Sequence, residues 1–372
     1  MSARRRILIV VASLTGGGAE RVAVTWADSL SLLGHDVAVL TDTCCPITFR
    51  PSASVKVFPL DFPDRTPRKG VRCLLKALRS RVHVFRRLSR LMRTERPDVV
   101  IDIGHFYSAE VLAASRLHGV KALQTDHNAC TRPEGLSFHT CMRKFVFARF
   151  YDAITVLTEV DRHEMVRRGV RKAEVLHNPL SLVPCAFSGL RSKTVLAVGR
   201  LDAWYVKGFD VLLSAWRYVS CLHSDWRLRI IGNGSAESLS LLQEMCRESL
   251  NTVDFVPFTA DIDIEYRRAE IFVLSSRCEG WGLVATEAMS QGCAAVVCDY
   301  DGRQAEYARD GVNALICPTD DAAALAQRID RLINDECLRK RLGGNATRSF
   351  DRLAPDVVGR RLEKIICRLC SD

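Results

Sequence analysis

Two carboxylates eight positions apart, Glu279 and Glu287, bracket the turn in Glu279-Gly280-Trp281-Gly282-Leu283-Val284-Ala285-Thr286-Glu287. An apolar run, Ile271–Leu274, precedes this segment and a helical pattern follows it. The two glycines therefore place backbone N–H groups at a helix N-terminus, where phosphate oxygens bind well. With Glu279 in the loop and Glu287 in the second helical turn, a rise of about 1.5 Å per residue puts them roughly 8–12 Å apart. That separation suits two hydrogen-bonding partners on one extended ligand, and not the close carboxyl pair of a retaining hydrolase at ~5 Å. A helix-capping acid followed by a solvated glutamate would produce the same nine residues.

Three further segments carry candidate chemistry. Gly199-Arg200 closes an apolar run and Lys207-Gly208-Phe209-Asp210 opens the next helical pattern, offering a guanidinium fork and a point charge to a diphosphate. A surface pair of cations would look alike. Ser13-Leu14-Thr15-Gly16-Gly17-Gly18-Ala19-Glu20 joins a first strand to a first helix and is either a close-approach loop with free N–H groups for an anion or a tight packing turn. It is not the dinucleotide fingerprint, because Arg21 stands where the third glycine belongs. Gly232-Asn233-Gly234 adds another close-approach turn after Arg227–Ile231.

Short apolar runs alternating with helical patterns position these loops. In the first half the strands are expected at Ile7–Ala12, Asp36–Thr41, Val55–Pro59, Val99–Ile103, Val120–Gln124, Ala153–Val156 and Glu174–Leu176. Helices are expected at Ala19–Leu33, Gly70–Arg93, Ser108–Leu117, Phe138–Phe150 and Glu159–Arg168. After an aperiodic linker from Asn178 to Gly189 the alternation restarts with Thr194–Gly199 and continues to a last helix over Pro355–Cys370. This grammar predicts an α/β chain of two Rossmann-like, doubly wound domains facing across a cleft, each aiming the carboxyl ends of its strands at it. The expected division is 1–180, 190–352 and a C-terminal helix in 353–372 packing toward the N-terminal domain.

Of the 372 residues 48% are hydrophobic and 26% charged, which is the composition of a globular chain, and the length fits two domains. The net charge of +10 is local: Arg65 to Arg96 holds twelve Lys and Arg against Glu95 alone, so the remainder is nearly neutral. A nucleic-acid-coating surface is therefore not expected. Within the basic segment Val71, Leu74, Leu75, Leu78, Val82, Phe85 and Leu88 follow a helical period. Either the cations form a solvated outer face, or the helix rests on an anionic membrane leaflet.

No uncharged run reaches the ~18–20 apolar residues of a bilayer crossing. Ser2–Arg6 with Ile7–Ala12 resembles a signal-peptide start, but the run breaks at Gly16 and reads as a buried first strand. Fifteen cysteines, an odd number and mostly within apolar segments, are expected to act as small hydrophobes in a reducing compartment. Cys367 and Cys370 share one helix face with no second pair to complete a metal site.

Taken together, the Gly-Gly-Gly-Ala-Glu-Arg entry loop, Gly-Arg, Lys-Gly-Phe-Asp, Gly-x-Gly, the E-x7-E segment, Asp301-Gly302 with Glu306, and Asp310-Gly311-Val312-Asn313 resemble a family-4 retaining glycosyltransferase of GT-B fold, of the kind that builds bacterial exopolysaccharide, capsule or lipopolysaccharide. The resemblance spans essentially the whole chain. It implies that Arg200 and Lys207 hold the diphosphate of a nucleotide-sugar donor, a UDP-sugar being expected. Glu279 would bind the sugar hydroxyls and Glu287 the ribose diol, with Gly280, Trp281, Gly282 and Leu283 between them in the donor site. Gly17 and Gly18 would let the N-terminal domain close on phosphate and sugar, and His127 would lie near the reacting sugar, although a structural histidine is the commoner case.

The Arg200-to-Lys207 spacing is a residue or two longer than usual, Phe258 stands where a glycine is common, and Ala314 replaces a frequent glycine. The implied chemistry is transfer of a hexose to a growing glycan or lipid-linked saccharide on the same face of the sugar. No metal or cofactor is expected, and the location is cytoplasmic or peripheral on the inner membrane face. A GT-B phosphorylase, a nucleotide-sugar epimerase and a non-catalytic anionic-surface binder compete with this reading.

Overall fold

The computed structural model describes residues 3–44, 47–60, 71–104, 106–131, 135–185 and 191–371, with side chains in the first long basic helix from residue 77 onward. Contacts divide the chain into two units, Met1–Ser181 with Pro355–Asp372, and Leu182–Ala354. The expected linker over 178–189 is described as far as Cys185, and its remainder lies outside the described residues, as do positions 65–70 of the basic segment.

Among the described residues the first unit holds seven strands: β1 (Arg6–Val10), β2 (Asp36–Thr41), β3 (Lys56–Pro59), β4 (Val99–Ile103), β5 (Lys121–Thr125), β6 (Ala153–Val156) and β7 (Ala173–Val175). They pair in parallel in the order β3-β2-β1-β4-β5-β6-β7. The central strands β1 and β4 are buried almost throughout, and they read as continuous apolar runs because helices cover both sheet faces. Helix α1 (Gly18–Leu32) turns Val22, Ala23, Trp26, Ala27 and Leu30 inward at helical spacing. Helix α2 (Val71–Glu95), α3 (Ser108–His118), α4 (Phe138–Cys141) and α5 (Glu159–Arg167) complete the layer pattern up to residue 181.

The second unit repeats the plan with β8 (Ser192–Val198), β9 (Arg227–Ile231), β10 (Val253–Val256), β11 (Ala269–Leu274), β12 (Ala294–Asp299) and β13 (Leu315–Pro318), parallel in the order β10-β9-β8-β11-β12-β13. Its helices are α6 (Trp204–Lys207), α7 (Phe209–Leu222), α8 (Ala236–Met245), α9 (Ile262–Arg268), α10 (Leu283–Ser290), α11 (Ala322–Asn334) and α12 (Glu336–Ser349). The last helix, α13 (Pro355–Ser371), belongs to the first unit. It packs on α1 so closely that a Cβ at Gly359 would lie 2.8 Å from Cβ of Ser29, and the buried His35 meets Glu363 at 3.1 Å.

Three features differ from the sequence expectation. The single helix expected over Phe138–Phe150 is instead α4, a π turn over Met142–Val146 and a 3₁₀ turn over Phe147–Phe150. Helix α9 is not marked by the periodicity, because only Ile262 and Tyr266 are buried in its seven residues. On α2 the expected apolar stripe is displaced. Leu78 and Val82 are exposed, whereas Val84, Leu88, Leu91 and Met92 reach the core.

Candidate functional site

In a doubly wound sheet the loops at the point where strand order reverses are the ones free to bind a ligand. In the second unit that point lies between β8 and β11, and the candidate residues sit on the two loops that leave it. After β8 the chain passes Gly199 and Arg200, makes a 3₁₀ turn over Leu201–Ala203 and then the single turn α6, which ends at Lys207. These two turns take up the long Arg200-to-Lys207 spacing.

Lys207 thereby meets Glu279, its Nζ donating to Oε1 across 2.6 Å. Ser276 Oγ donates to the same oxygen at 2.7 Å. Gly208, at φ 63°, lets the two loops approach, since a Cβ there would lie 2.0 Å from the carbonyl oxygen of Ser275. Ser275 Oγ in turn donates to the Lys207 carbonyl at 2.8 Å. The guanidinium of Arg200 is exposed and has no hydrogen-bond or ion-pair partner among the described residues.

A second clamp holds these loops together. Arg277 donates from Nη1 and Nη2 to the two carboxylate oxygens of Asp210 at 2.8 Å each, reaches Asp320 through Nε at 2.5 Å, and lies 4.0 Å over the ring of Tyr205. The hydrogen bonds to Asp210 raise its guanidinium further above its ordinary range. Ser275, Ser276 and the Arg277–Asp210 pair escape sequence reasoning. The only available signal is that polar residues directly follow an apolar strand at the reversal point.

The turn between the two acids is built from inside. Gly282, at φ 86°, precedes α10, and a Cβ there would fall within 3.0 Å of the hydroxyls of Tyr307 and Tyr300. Tyr300 donates to the Trp281 carbonyl at 2.8 Å. The Trp281 side chain is buried against the Tyr307 ring, 5.6 Å between centroids, so only its backbone faces the loop. Glu287 is not the solvated glutamate of the bland alternative: it is 3% exposed and accepts from Tyr266 Oη at 3.1 Å. Nor is Glu279 a simple cap, since its partners are Lys207 and Ser276.

In the first unit the glycine loop after β1, open in the sequence to a close-approach or a packing role, is closed by a side chain of its own helix. The N–H groups of Gly16 and Gly17 donate to Glu20 Oε2 at 2.7 and 3.0 Å, and Ser13 bonds the other oxygen. Burial pushes the Glu20 carboxyl up, but the Gly17 amide, the Ser13 hydroxyl and the Gly16 amide outweigh it and hold it below the usual range. A glutamate at the third helical position thus supplies the loop's own anion.

His127 follows β5 and is half-buried. Its Nδ1 lies 3.0 Å from Asn178 Oδ1, its Nε2 lies 3.1 Å from Thr125 Oγ1, and its ring is 5.3 Å from that of Trp26. The loop is anchored by Lys144 from the π turn, which bonds Asp126 at 2.7 Å and the carbonyls of Asn128 and Ala129. Burial alone would lower the Lys144 ammonium, yet Asp126 reverses that and raises it. Further along, Asp301 (φ 60°) and Gly302 (φ 75°) form a turn, and Asn313 bonds the Tyr307 carbonyl at 2.9 Å, so both later motifs build loops. Among the described residues no group of three His, Cys, Asp or Glu is placed to hold a metal ion, and no helix is long and apolar enough to cross a membrane.

Two family models cover most of this architecture. Residues 16–182 match the model described as Glycosyltransferase Family 4, and residues 188–349 match Glycosyl transferases group 1. The chain belongs to the family-4 glycosyltransferases. As a GT-B glycosyltransferase it is 26% identical over 92% of its length to a Campylobacter jejuni enzyme, likewise covered to 92%. That enzyme is named GalNAc-alpha-(1->4)-GalNAc-alpha-(1->3)-diNAcBac-PP-undecaprenol alpha-1,4-N-acetyl-D-galactosaminyltransferase. It is 25% identical to the amylovoran biosynthesis glycosyltransferase AmsD of Erwinia amylovora, over 97% of this chain and 99% of that one. Its fold matches Anabaena HepE, solved in complex with UDP-glucose, at a TM-score of 0.78 and 18% identity, covering 98% of this chain and 100% of that one.

Proposed function

We propose that this glycosyltransferase transfers a hexose, with retention of configuration, from a UDP-sugar to a growing cell-surface glycan or lipid-linked saccharide. The Lys207–Glu279 pair at the β8/β11 reversal carries the reading. An arriving diphosphate draws the Lys207 ammonium to itself with the unpartnered Arg200, and the Glu279 carboxylate is released to accept hydroxyls of the donor sugar. Ser276 keeps that carboxylate oriented during the exchange.

Glu287, oriented by Tyr266, binds the ribose diol, and the backbone of Gly280, Trp281, Gly282 and Leu283 faces the phosphates. Gly17, Gly18 and His127 serve the sugar. The leaving phosphate is neutralised by Arg200, Lys207 and N-terminal amides of α10 as the sugar gains oxocarbenium character. The acceptor hydroxyl attacks from the same face and its proton passes to the departing phosphate. Fixed charges and positioning supply this catalysis, so no metal or cofactor is required in the scheme.

The acceptor class is supported by the undecaprenol-linked and exopolysaccharide substrates in the relatives' names. The exposed Arg79, Arg86 and Arg90 on α2, beside exposed Leu78 and Val82, support a peripheral position on an anionic cytoplasmic leaflet where such an acceptor is presented. Glu279→Gln tests the core of the scheme. UDP should shift the melting temperature of the variant as it does that of the parent, ahead of GDP and ADP, while sugar transfer falls by about 10²–10³-fold. Unchanged turnover would overturn it.

A further inference from the structure

The amino ends of β1, β4 and β5 frame a cavity of about 500 Å³, at the end of the first unit's sheet opposite the loops that carry Gly16 and His127. Five cations line it: Arg5 and Arg6 at the start of β1, Arg93 and Arg96 at the end of α2, and Lys121 at the start of β5. Asp98 is the one carboxylate among the described residues of the lining, and it is occupied by Arg6, whose backbone N–H donates to it at 2.7 Å. Arg5, Arg93, Arg96 and Lys121 have no ion-pair partner among the described residues, and Arg5 Nε is buried without a hydrogen bond there.

The bland account is that these cations serve helix C-termini. Helices α2, α3 and α13 all end at this cavity, contributing Arg93, His118 and Cys370 to its wall. A helix end carries about half a negative charge, so three supply roughly −1.5 against four unpaired cations, leaving an excess of two to three positive charges. Like charges held in a concave site repel one another unless an anion enters. Arg96 adds an independent mark: it occupies φ 48° directly after α2, a left-handed position where glycine sits without strain and an arginine does not. The chain holds a guanidinium there at a conformational cost.

We propose that this cavity is an anion site for a phosphate-bearing ligand of at least two charges, a diphosphate-like group held by the guanidinium forks of Arg93 and Arg96 with Lys121. The site lies in the first unit, apart from the donor site on β8 and β11, and does not depend on the function proposed above. The same group is available from a soluble phosphate compound or from lipid headgroups.

Calorimetric titration of the full-length protein with inorganic pyrophosphate tests this. The titration is run in the Arg200→Ala/Lys207→Ala background, where the diphosphate site proposed above does not contribute; saturable binding is expected there and is weakened at least tenfold when Arg93→Gln/Lys121→Gln is added. Arg96→Gly removes one fork while relieving the backbone, so affinity should fall several-fold with no loss of melting temperature. In that background, absence of saturable binding or undiminished affinity on adding the cavity substitutions overturns the proposal. Vesicles of phosphatidylcholine with and without phosphatidylglycerol identify the source. Displacement of pyrophosphate by the anionic vesicles alone assigns the site to lipid headgroups, and no displacement assigns it to a soluble compound. Arg79, Arg86 and Arg90 lie outside the cavity, so reversing them should leave pyrophosphate binding intact.

Discussion

Arg277 and Asp210 lie 67 residues apart in sequence, yet two hydrogen bonds of 2.8 Å join them across the loops that carry Glu279 and Lys207. Neither side chain is among those we propose for the donor; the pair ties together the loops that carry Lys207 and Glu279. Asp210→Asn should raise KM for the nucleotide sugar by about tenfold, with kcat affected less, because the loop carrying Lys207 gains freedom. The charge-assisted bonds are worth about 2 kcal/mol, which urea unfolding should detect. Arg277→Lys keeps the charge but loses the fork, so it should recover less than half of the lost affinity. A KM unchanged in both variants would remove the positioning role.

The carboxyl of Asp102 predicts a pH dependence of folding. It is fully buried at the end of β4, accepts from Tyr151 Oη at 2.6 Å and from Ser108 Oγ at 2.9 Å, and burial pushes its pKa up to about 6 despite those bonds. In the unfolded chain the group titrates near 4. Between about pH 4 and 6 the native state therefore holds more protons than the unfolded state, and stability falls as pH rises through that window. Asp102→Asn abolishes the ionisation and should flatten this part of the stability curve. It should also leave the variant more stable than the parent at pH 7, by up to about 3 kcal/mol. A parent curve already flat over that window would count against the assignment.

Lys144 and Asp126 are 1% and 2% exposed, so removing either partner strands a buried charge. Lys144→Met should cost about 3–5 kcal/mol and release the loop that presents His127. The double variant Lys144→Met/Asp126→Asn should regain a substantial part of that loss. Equal destabilisation in the single and double variants would mean that the pair is not coupled.

The exposed face of α2 predicts lipid dependence. Sedimentation of the protein with vesicles should require anionic lipid and weaken as salt is raised, because the Debye length shrinks from about 10 Å at 0.1 M to 3 Å at 1 M. Each arginine near such a surface contributes about 1 kcal/mol, so reversing Arg79, Arg86 and Arg90 should reduce binding by a hundredfold or more. Binding indifferent to these changes would identify the face as merely solvated.

Much of the fold is legible because burial on both sheet faces forces largely apolar runs: Asp36–Thr41, Val99–Ile103 and Ala153–Val156 are read at their observed bounds. Helices with one broad apolar face, such as α1, are equally plain, since Val22, Ala23, Trp26, Ala27 and Leu30 repeat at helical spacing. The π turn was not legible, because it is marked by the burial of Lys144 against Asp126, and a lysine in a helical pattern reads as surface. The phase of the α2 stripe was misread for a related reason: Leu78 and Val82 are as apolar as Leu88, and only the position of the sheet decides which of them it covers. At the candidate site the loops and glycines could be located from the residues alone. The Lys207–Glu279 contact spans 72 positions and rests on a steric fact, the approach of Gly208 to the Ser275 carbonyl, that no local pattern encodes.

The glutamate that closes the loop after β1 has a kinetic consequence. Because Glu20 already satisfies the amides of Gly16 and Gly17, that loop is ordered once, during folding, and not anew at each encounter with substrate. A loop that waited for a ligand would lose backbone freedom worth about 1–2 kcal/mol per residue every time one arrived. Here the chain's own carboxylate has met that entropy loss during folding, before any ligand faces the loop.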